Sequence, residues 1–281
     1  MRLPWLAVVL LLVVANAAAE RPRRAVWVWD NSVTETTTQR DALLKFCRER
    51  NIDTLFLHAP MDHLQDRPDE FHAFLAAAHR QKIRVEALDG NARWAFERAG
   101  AENFVTAVKI FNSFAKTPQE RFDGIHLDAE PYDTLEWKQD EQRVAAQYLE
   151  MLDALRAQKG DLLLTADVPP WFGSFNIPEG TLLSGAITRT DGIALMSYTN
   201  QVRGLAAEVK PALEFAATKG KRVWIGLSVQ AYDSDMDGTK PLRPQVERTL
   251  KRAEKQFGKQ PALAGIALHD FGHLRALYDK R

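Results

Sequence analysis

The sequence predicts an α/β protein of the (β/α)8 barrel class, a single barrel domain following an N-terminal leader. Three observations predict it. Apolar, β-branched stretches alternate with stretches of helical period along the whole chain, and eight such pairs fit in about 260 residues, the size of that barrel. The strands are apolar on both faces, as parallel strands covered by helices must be. No hairpin signal joins consecutive strands. Asp30-Asn31-Ser32-Val33, after the first strand, is not the Gly-rich phosphate turn that an open dinucleotide-binding sheet carries there.

The elements follow in order. Ala25 to Asp30 is β-branched and aromatic and reads as the first strand. Thr36-Thr37-Thr38 offers N-caps to a helix through Leu43, Leu44, Cys47 and Arg48. Ile52 to Pro60 reads as the second strand, Asp69 opens the second helix, and Ile83 to Asp89 is the third strand. Glu102 to Phe114 is a helix with Phe104, Val105, Val108, Ile110 and Phe111 as its apolar positions. The fourth strand starts at Phe122, and a long helix follows from about Asp140 to Lys159. Asp161 to Asp167 is the fifth strand, Pro178 to Thr188 a short helix or irregular, and Asp191 to Tyr198 the sixth strand. Leu205 to Thr218 is helical, with Pro211 marking its start or a kink. Arg222 to Gln230, Pro244 to Phe257, Leu263 to His269 and Leu274 to Tyr278 complete the alternation. Gly124, Gly192 and Gly265 each precede an apolar strand, which suits the crowded foot of a barrel. Trp27 and Trp224 sit mid-strand and are expected to pack between sheet and helices.

The ends of the chain and its composition bound the setting. An apolar run from Leu6 to Val14, one basic residue before it and Ala-x-Ala sites after it read as a signal peptide, residues 1–19, cleaved near Ala19. The barrel then covers 20–281, and the protein is expected outside the cytoplasm, secreted or periplasmic, with no stable membrane insertion, because the run is shorter than the roughly 20 residues a span needs. With 37 basic and 37 acidic residues the net charge is zero, which argues against a nucleic-acid partner. The single cysteine, Cys47, excludes an internal disulfide and reads as core packing.

The chemistry concentrates in Phe122-Asp123-Gly124-Ile125-His126-Leu127-Asp128-Ala129-Glu130-Pro131-Tyr132. Strand alternation puts His126, Asp128 and Glu130 on one face. Two carboxylates and an imidazole are costly to bury together unless they pair with each other or with a ligand. Acids at the C-terminal end of a barrel strand read as catalytic. The other strands also stop in polar residues: Asp30, His58, Asp89, Asp167, Tyr198, Gln230, and His269 with Asp270. Aromatic residues near the same rim, Trp29, Trp171 and Tyr132 among them, offer flat faces to the axial C–H groups of a sugar ring. An oligo- or polysaccharide is therefore the expected partner. No cofactor and no catalytic metal are expected: His58, His63 and His269 lack ligand spacing. Asp233 to Gly238 copies only half of a calcium loop, with Pro244 where the bidentate Glu should be.

The same stretch resembles the Asp-x-x-Asp-x-Asp-x-Glu signature of glycoside hydrolase family 18, the chitinases and endo-β-N-acetylglucosaminidases. Asp123, Asp128 and Glu130 occupy three of its acidic positions, and His126 replaces the middle Asp. Met196-Ser197-Tyr198 resembles the family's Met-x-Tyr on the sixth strand, with Asn200 on the same strand face. The family's Ser-x-Gly-Gly on the third strand is absent, and His269-Asp270-Phe271 stands where the eighth strand carries Trp. The resemblance implies retaining cleavage with the substrate's own N-acetyl oxygen as nucleophile. Glu130 would protonate the leaving oxygen, Asp128 would orient the acetamido group and Tyr198 would hold its oxygen. The middle Asp of the family shares a proton with the Asp that follows. His126 in its place would donate to Asp128 and lower its pKa. His126, Asp123, Tyr132, Trp29, Trp171, Met196, Asn200, Asp167, Gln230, His269 and Asp270 complete the expected substrate-binding set. Two alternatives stand beside it: a sugar-binding barrel that does not hydrolyse, and a glycosidase that pairs Asp128 and Glu130 with a distant acid such as Asp167 or Asp270.

Overall fold

The computed structural model describes residues 23–198, 204–230 and 242–279. Eight parallel strands close into a barrel: β1 (Arg23–Val28), β2 (Thr54–His58), β3 (Arg84–Asp89), β4 (Gly124–Leu127), β5 (Leu163–Val168), β6 (Gly192–Leu195), β7 (Arg222–Ser228) and β8 (Leu263–His269). Each pairs with the next in sequence, and β8 returns to β1 with Arg23 beside Gly265. The leader falls outside the described residues. No helix among those described is long and apolar enough to cross a membrane.

The helices form where the sequence caps them. In α1 (Thr37–Arg50) the Thr36 hydroxyl accepts from the Gln39 amide, as an N-cap should. The next stretch differs from expectation. It holds two helices, α2 (Met61–Asp66) and α3 (Pro68–Arg80). Pro68 causes the split: the residue before a proline is pushed out of the helical region, and Arg67 sits at φ −130°, ψ 44°. Further round are α4 (Ala99–Ser113), the short α5 (Leu135–Gln139), α6 (Glu141–Gln158) and α7 (Leu182–Arg189). A two-residue hairpin, Asn176–Ile177 with Gly180–Thr181, precedes α7. Then come α8 (Leu205–Lys219), α9 (Arg243–Phe257) and α10 (Phe271–Asp279). Pro211 lies inside α8 and does not mark its start. Ile110 was expected on the apolar face of α4, but it is exposed beside Phe114.

Two cores result. The larger one lies between strands and helices and includes Cys47, where burial pushes the thiol up to about 12. The smaller one fills the barrel: Ala25, Trp27, Phe56, Leu88, Ala194, Trp224, Ala264 and Ala267. Trp27 and Trp224 therefore point into the lumen, not toward the helices as expected. Two indoles are what it takes to plug a barrel whose other inward residues include alanines. Glycines make room at the foot. A Cβ on Gly265 would sit 2.2 Å from the Arg23 carbonyl oxygen, and one on Gly124 would sit 2.9 Å from that of Leu163.

Candidate active site

The plug leaves the strands' C-terminal rim as the place where polar groups meet a large cavity. β4 ends at Leu127, but the Asp128 amide still donates to the Asp89 carbonyl at 3.1 Å. Gly90 permits that crossing: a Cβ there would lie 1.8 Å from the Asp128 carbonyl oxygen. Ala129 is buried, and Glu130 leads into a 3-10 turn at Pro131–Asp133. Asp128 and Glu130 thereby reach one cavity of about 910 Å³. Tyr132, Trp171, Met196, Tyr198 and His269 share its wall. The Tyr198 ring stacks on His269 with centroids 4.8 Å apart, and Tyr132 meets Trp171 edge-on at 5.3 Å. Trp171 is 41% exposed, an open ring face at the mouth.

The electrostatics of the two acids are unusual. Burial pushes the Asp128 carboxyl well above the usual carboxylate range, and the charges of Asp167 and Glu130 push it the same way. Glu130 is also raised, first by burial. The Tyr132 hydroxyl, which donates to its Oε2 at 2.6 Å, pulls the other way, as does a hydrogen bond from Asp128. Both carboxyls are thus pushed toward releasing their protons at higher pH than ordinary acids do. Asp128 Oδ1 is buried with no hydrogen-bond partner. An acid that keeps its proton, beside an open cavity with aromatic walls, is equipped to protonate the leaving oxygen of a bound sugar.

His126 is placed differently from expectation. It is fully buried in the lumen, stacked on Phe56 with centroids 3.8 Å apart. Its Nε2 faces Asp167 Oδ1 at 2.9 Å and its Nδ1 faces Glu86 Oε2 at 3.4 Å. Its partners are thus acids of the neighbouring strands, not Asp128, and it touches no part of the cavity. Burial alone would lower its pKa, but the two acids overcome that and hold the imidazolium up to about 9. The net shift of Asp128 is upward despite His126, opposite to the lowering expected from the sequence.

Asp167 is likewise buried, with its Oδ2 accepting from the Trp27 indole at 3.1 Å. Asp123 lies at the other end of the barrel. Its Oδ2 accepts from the Val85 amide at 2.7 Å and faces His79 Nε2 at 3.0 Å, so it joins strand to helix and is remote from the cavity. Burial opposes its ionisation, yet the His79 hydrogen bond and the Val85 amide hold it below its usual value. Trp29, Gln230 and Asp270 gather round His269. The Trp29 indole donates to Nε2 at 3.3 Å, and the Gln230 amide reaches Nδ1 at 3.2 Å and Asp270 at 3.0 Å. Asp270 also accepts from the His273 amide at the start of α10. These residues support His269 from behind. Asn200 and the Asp233 to Gly238 run lie outside the described residues.

Three residues escaped the sequence reading. Glu86 is an acid in the middle of an apolar strand, a visible but unweighted signal. Asp133 and Glu208 line the cavity, and nothing local distinguishes them from surface acids. Among the described residues, no group of three or more His, Cys, Asp or Glu is arranged to hold a metal ion.

No family model matches the sequence, and no curated protein matches it. Solved structures do match the fold. A family 18 chitinase from Flavobacterium johnsoniae is 14% identical, with a TM-score of 0.52 over 92% of this chain and 94% of that one. A xylanase and amylase inhibitor protein is 15% identical, with a TM-score of 0.52 over 89% and 93%. The spore cortex-lytic enzyme SleL of Bacillus megaterium is 12% identical, with a TM-score of 0.51 over 92% and 73%. The chain is similar in fold to these barrels, so the resemblance carried by two short motifs extends to the whole architecture.

Proposed function

We propose that the protein is an exported glycosidase that cleaves a β-linked glycan containing N-acetylhexosamine, with Glu130 as acid and base. The observation that carries this is the Asp128–Glu130 pair, both carboxyls pushed up by burial, facing a cavity walled by Tyr132, Trp171 and Tyr198. In the substrate-assisted scheme the acetamido oxygen attacks the anomeric carbon, and Glu130 delivers its proton to the departing oxygen. Asp128 faces the acetamido nitrogen and stabilises the cyclic intermediate, and Tyr198 holds the acetyl oxygen. Glu130, now a carboxylate, takes a proton from the incoming water. The chitinase and the spore cortex-lytic enzyme of like fold support this substrate class. The pairing of Asp128 or Glu130 with Asp167 or Asp270 as a two-carboxylate site has less support, because Asp167 is buried behind the site and Asp270 caps α10. A binding role without hydrolysis is the second reading, favoured by the inhibitor protein of like fold.

The test is an assay of the mature chain from Glu20 on β-linked N-acetylglucosamine oligomers and peptidoglycan fragments, beside Glu130→Gln. Turnover by the parent and a loss of at least about a hundredfold in the variant are expected. Equal binding by both proteins, without turnover in either, supports the second reading instead.

A further inference from the structure

The cavity at the rim carries one sign of charge. Its wall holds four carboxyls, Asp128, Glu130, Asp133 and Glu208, and, among the described residues, no Lys or Arg. The whole chain has 37 residues of each sign, so this is a local excess. Asp128 and Glu130 belong to the proposed chemistry, whereas Asp133 and Glu208 have no part in it. These two reach the cavity from different elements. The Asp133 amide donates to the Glu130 carbonyl at 3.1 Å and closes the turn that carries Tyr132. Glu208 stands half-buried in the first turn of α8. Basic side chains on neighbouring elements pair with other acids: Arg93 with Glu97 and Glu136, Lys210 with Glu214. His269 accepts from the Trp29 indole at Nε2 and so presents a lone pair there. Segments 199–203 and 231–241 lie outside the described residues, and their sequence sets Arg203 and Lys240 against Asp233, Asp235 and Asp237, which adds no positive excess. A second observation points the same way. Asp128 Oδ1 is buried with no hydrogen-bond partner, an acceptor for which the protein supplies no donor.

We propose that this cavity selects a glycan bearing free amino groups: an N-acetylhexosamine chain from which part of the acetyl groups has been removed. This rests on the glycosidase reading and narrows its substrate class. The sugar at the reacting centre keeps its acetamido group, because that oxygen is the nucleophile. A neighbouring unit with a free amine brings an ammonium, whose N–H donors and positive charge suit carboxylates such as Asp133 and Glu208. A cleft of one sign also concentrates ligands of the opposite charge and rejects those of its own. Glycans with a carboxylate on alternate units therefore fit worst. The rings of Tyr132 and Trp171 cover the apolar faces of charged and uncharged sugars alike, so the discrimination falls to the acids.

The experiment is a calorimetric titration with three β-linked oligomers of equal length. One is fully N-acetylated, one has half of its acetyl groups removed, and one alternates N-acetylglucosamine with a uronate. It is run at mildly acidic pH, where sugar amines carry their protons, on Glu130→Gln, so that cleavage does not interfere. The same titration is run on Glu130→Gln with Asp133→Asn and Glu208→Gln added. The half de-acetylated oligomer is expected to bind about tenfold more tightly than the fully acetylated one, the size that two partly screened ion pairs give, and the uronate oligomer least. Raised salt and the two added substitutions are each expected to erase that advantage while the fully acetylated oligomer binds as before. The salt series needs no change at Asp133 or Glu208, so it decides the matter even where those substitutions disturb the fold. Equal binding of the acetylated and de-acetylated oligomers, or a preference that survives raised salt, overturns the proposal. Preference without turnover by the parent removes hydrolysis and keeps the selection. Turnover of the fully acetylated oligomer without preference keeps the hydrolase and overturns the selection, and binding of none of the three overturns both.

Discussion

Tyr132 shows how one hydroxyl tunes the candidate acid. It donates to Glu130 Oε2 at 2.6 Å and opposes the rise that burial imposes. Tyr132→Phe is therefore expected to raise the Glu130 titration further and to reduce kcat roughly tenfold on whichever glycan is turned over, the size expected when a charge-assisted hydrogen bond to a catalytic group is lost. An unchanged pH profile in the variant would count against that role. Asp128, Glu130 and Tyr132 were legible in the sequence because they are neighbours in it, and the strand end and the turn that follows bring them to one place. The partners of His126 were not legible. Its contacts with Glu86 and Asp167 depend on which strands lie beside β4 and on which residues stand level across the barrel. Asp123 misled for the converse reason: a motif position says nothing of which end of a four-residue strand a side chain leaves from.

At the scale of elements, period and capping were enough for most of the barrel. β8 is found at its expected bounds, Leu263–His269, and α1 begins one residue after the Thr36 cap. Where expectation failed, a proline or an unseen neighbour decided the outcome. Pro68 divides α2 from α3, and the lumen claims Trp27 and Trp224 because closing the barrel leaves a volume that only large rings fill. The cap of α1 gives a direct check. Thr36→Ala removes the hydroxyl that accepts from the Gln39 amide at 3.2 Å and is expected to cost about 1 kcal/mol. Urea denaturation is expected to show this as a lower midpoint with an unchanged slope, since the surface exposed on unfolding stays the same.

For the whole molecule, the buried lumen charges couple stability to pH. His126 has a folded value of about 9 against an ordinary 6.5, so the folded state binds the proton more tightly than the unfolded chain. Its contribution is complete below pH 6.5 and is lost as pH rises toward 9, on the order of 3 kcal/mol across that window. Asp128 and Glu130, also raised, act in the same sense at lower pH, because unfolding lets them release protons. Calorimetry between pH 6.5 and 9 is expected to show Tm falling with rising pH, and a flatter dependence in His126→Gln. A flat parent profile would mean that the imidazole is neutral when folded.

The return of β8 to β1 has a practical side. β1 starts at the barrel foot. α10 runs back from the rim, so that the Tyr278 ring lies 3.8 Å from the Arg50 guanidinium at the end of α1. The Arg50 carbonyl in turn accepts from Arg24. Both ends of the described chain therefore emerge together, on the side opposite the cavity. A bead, a tag or a second protein fused at either end would leave the mouth facing outward and unobstructed.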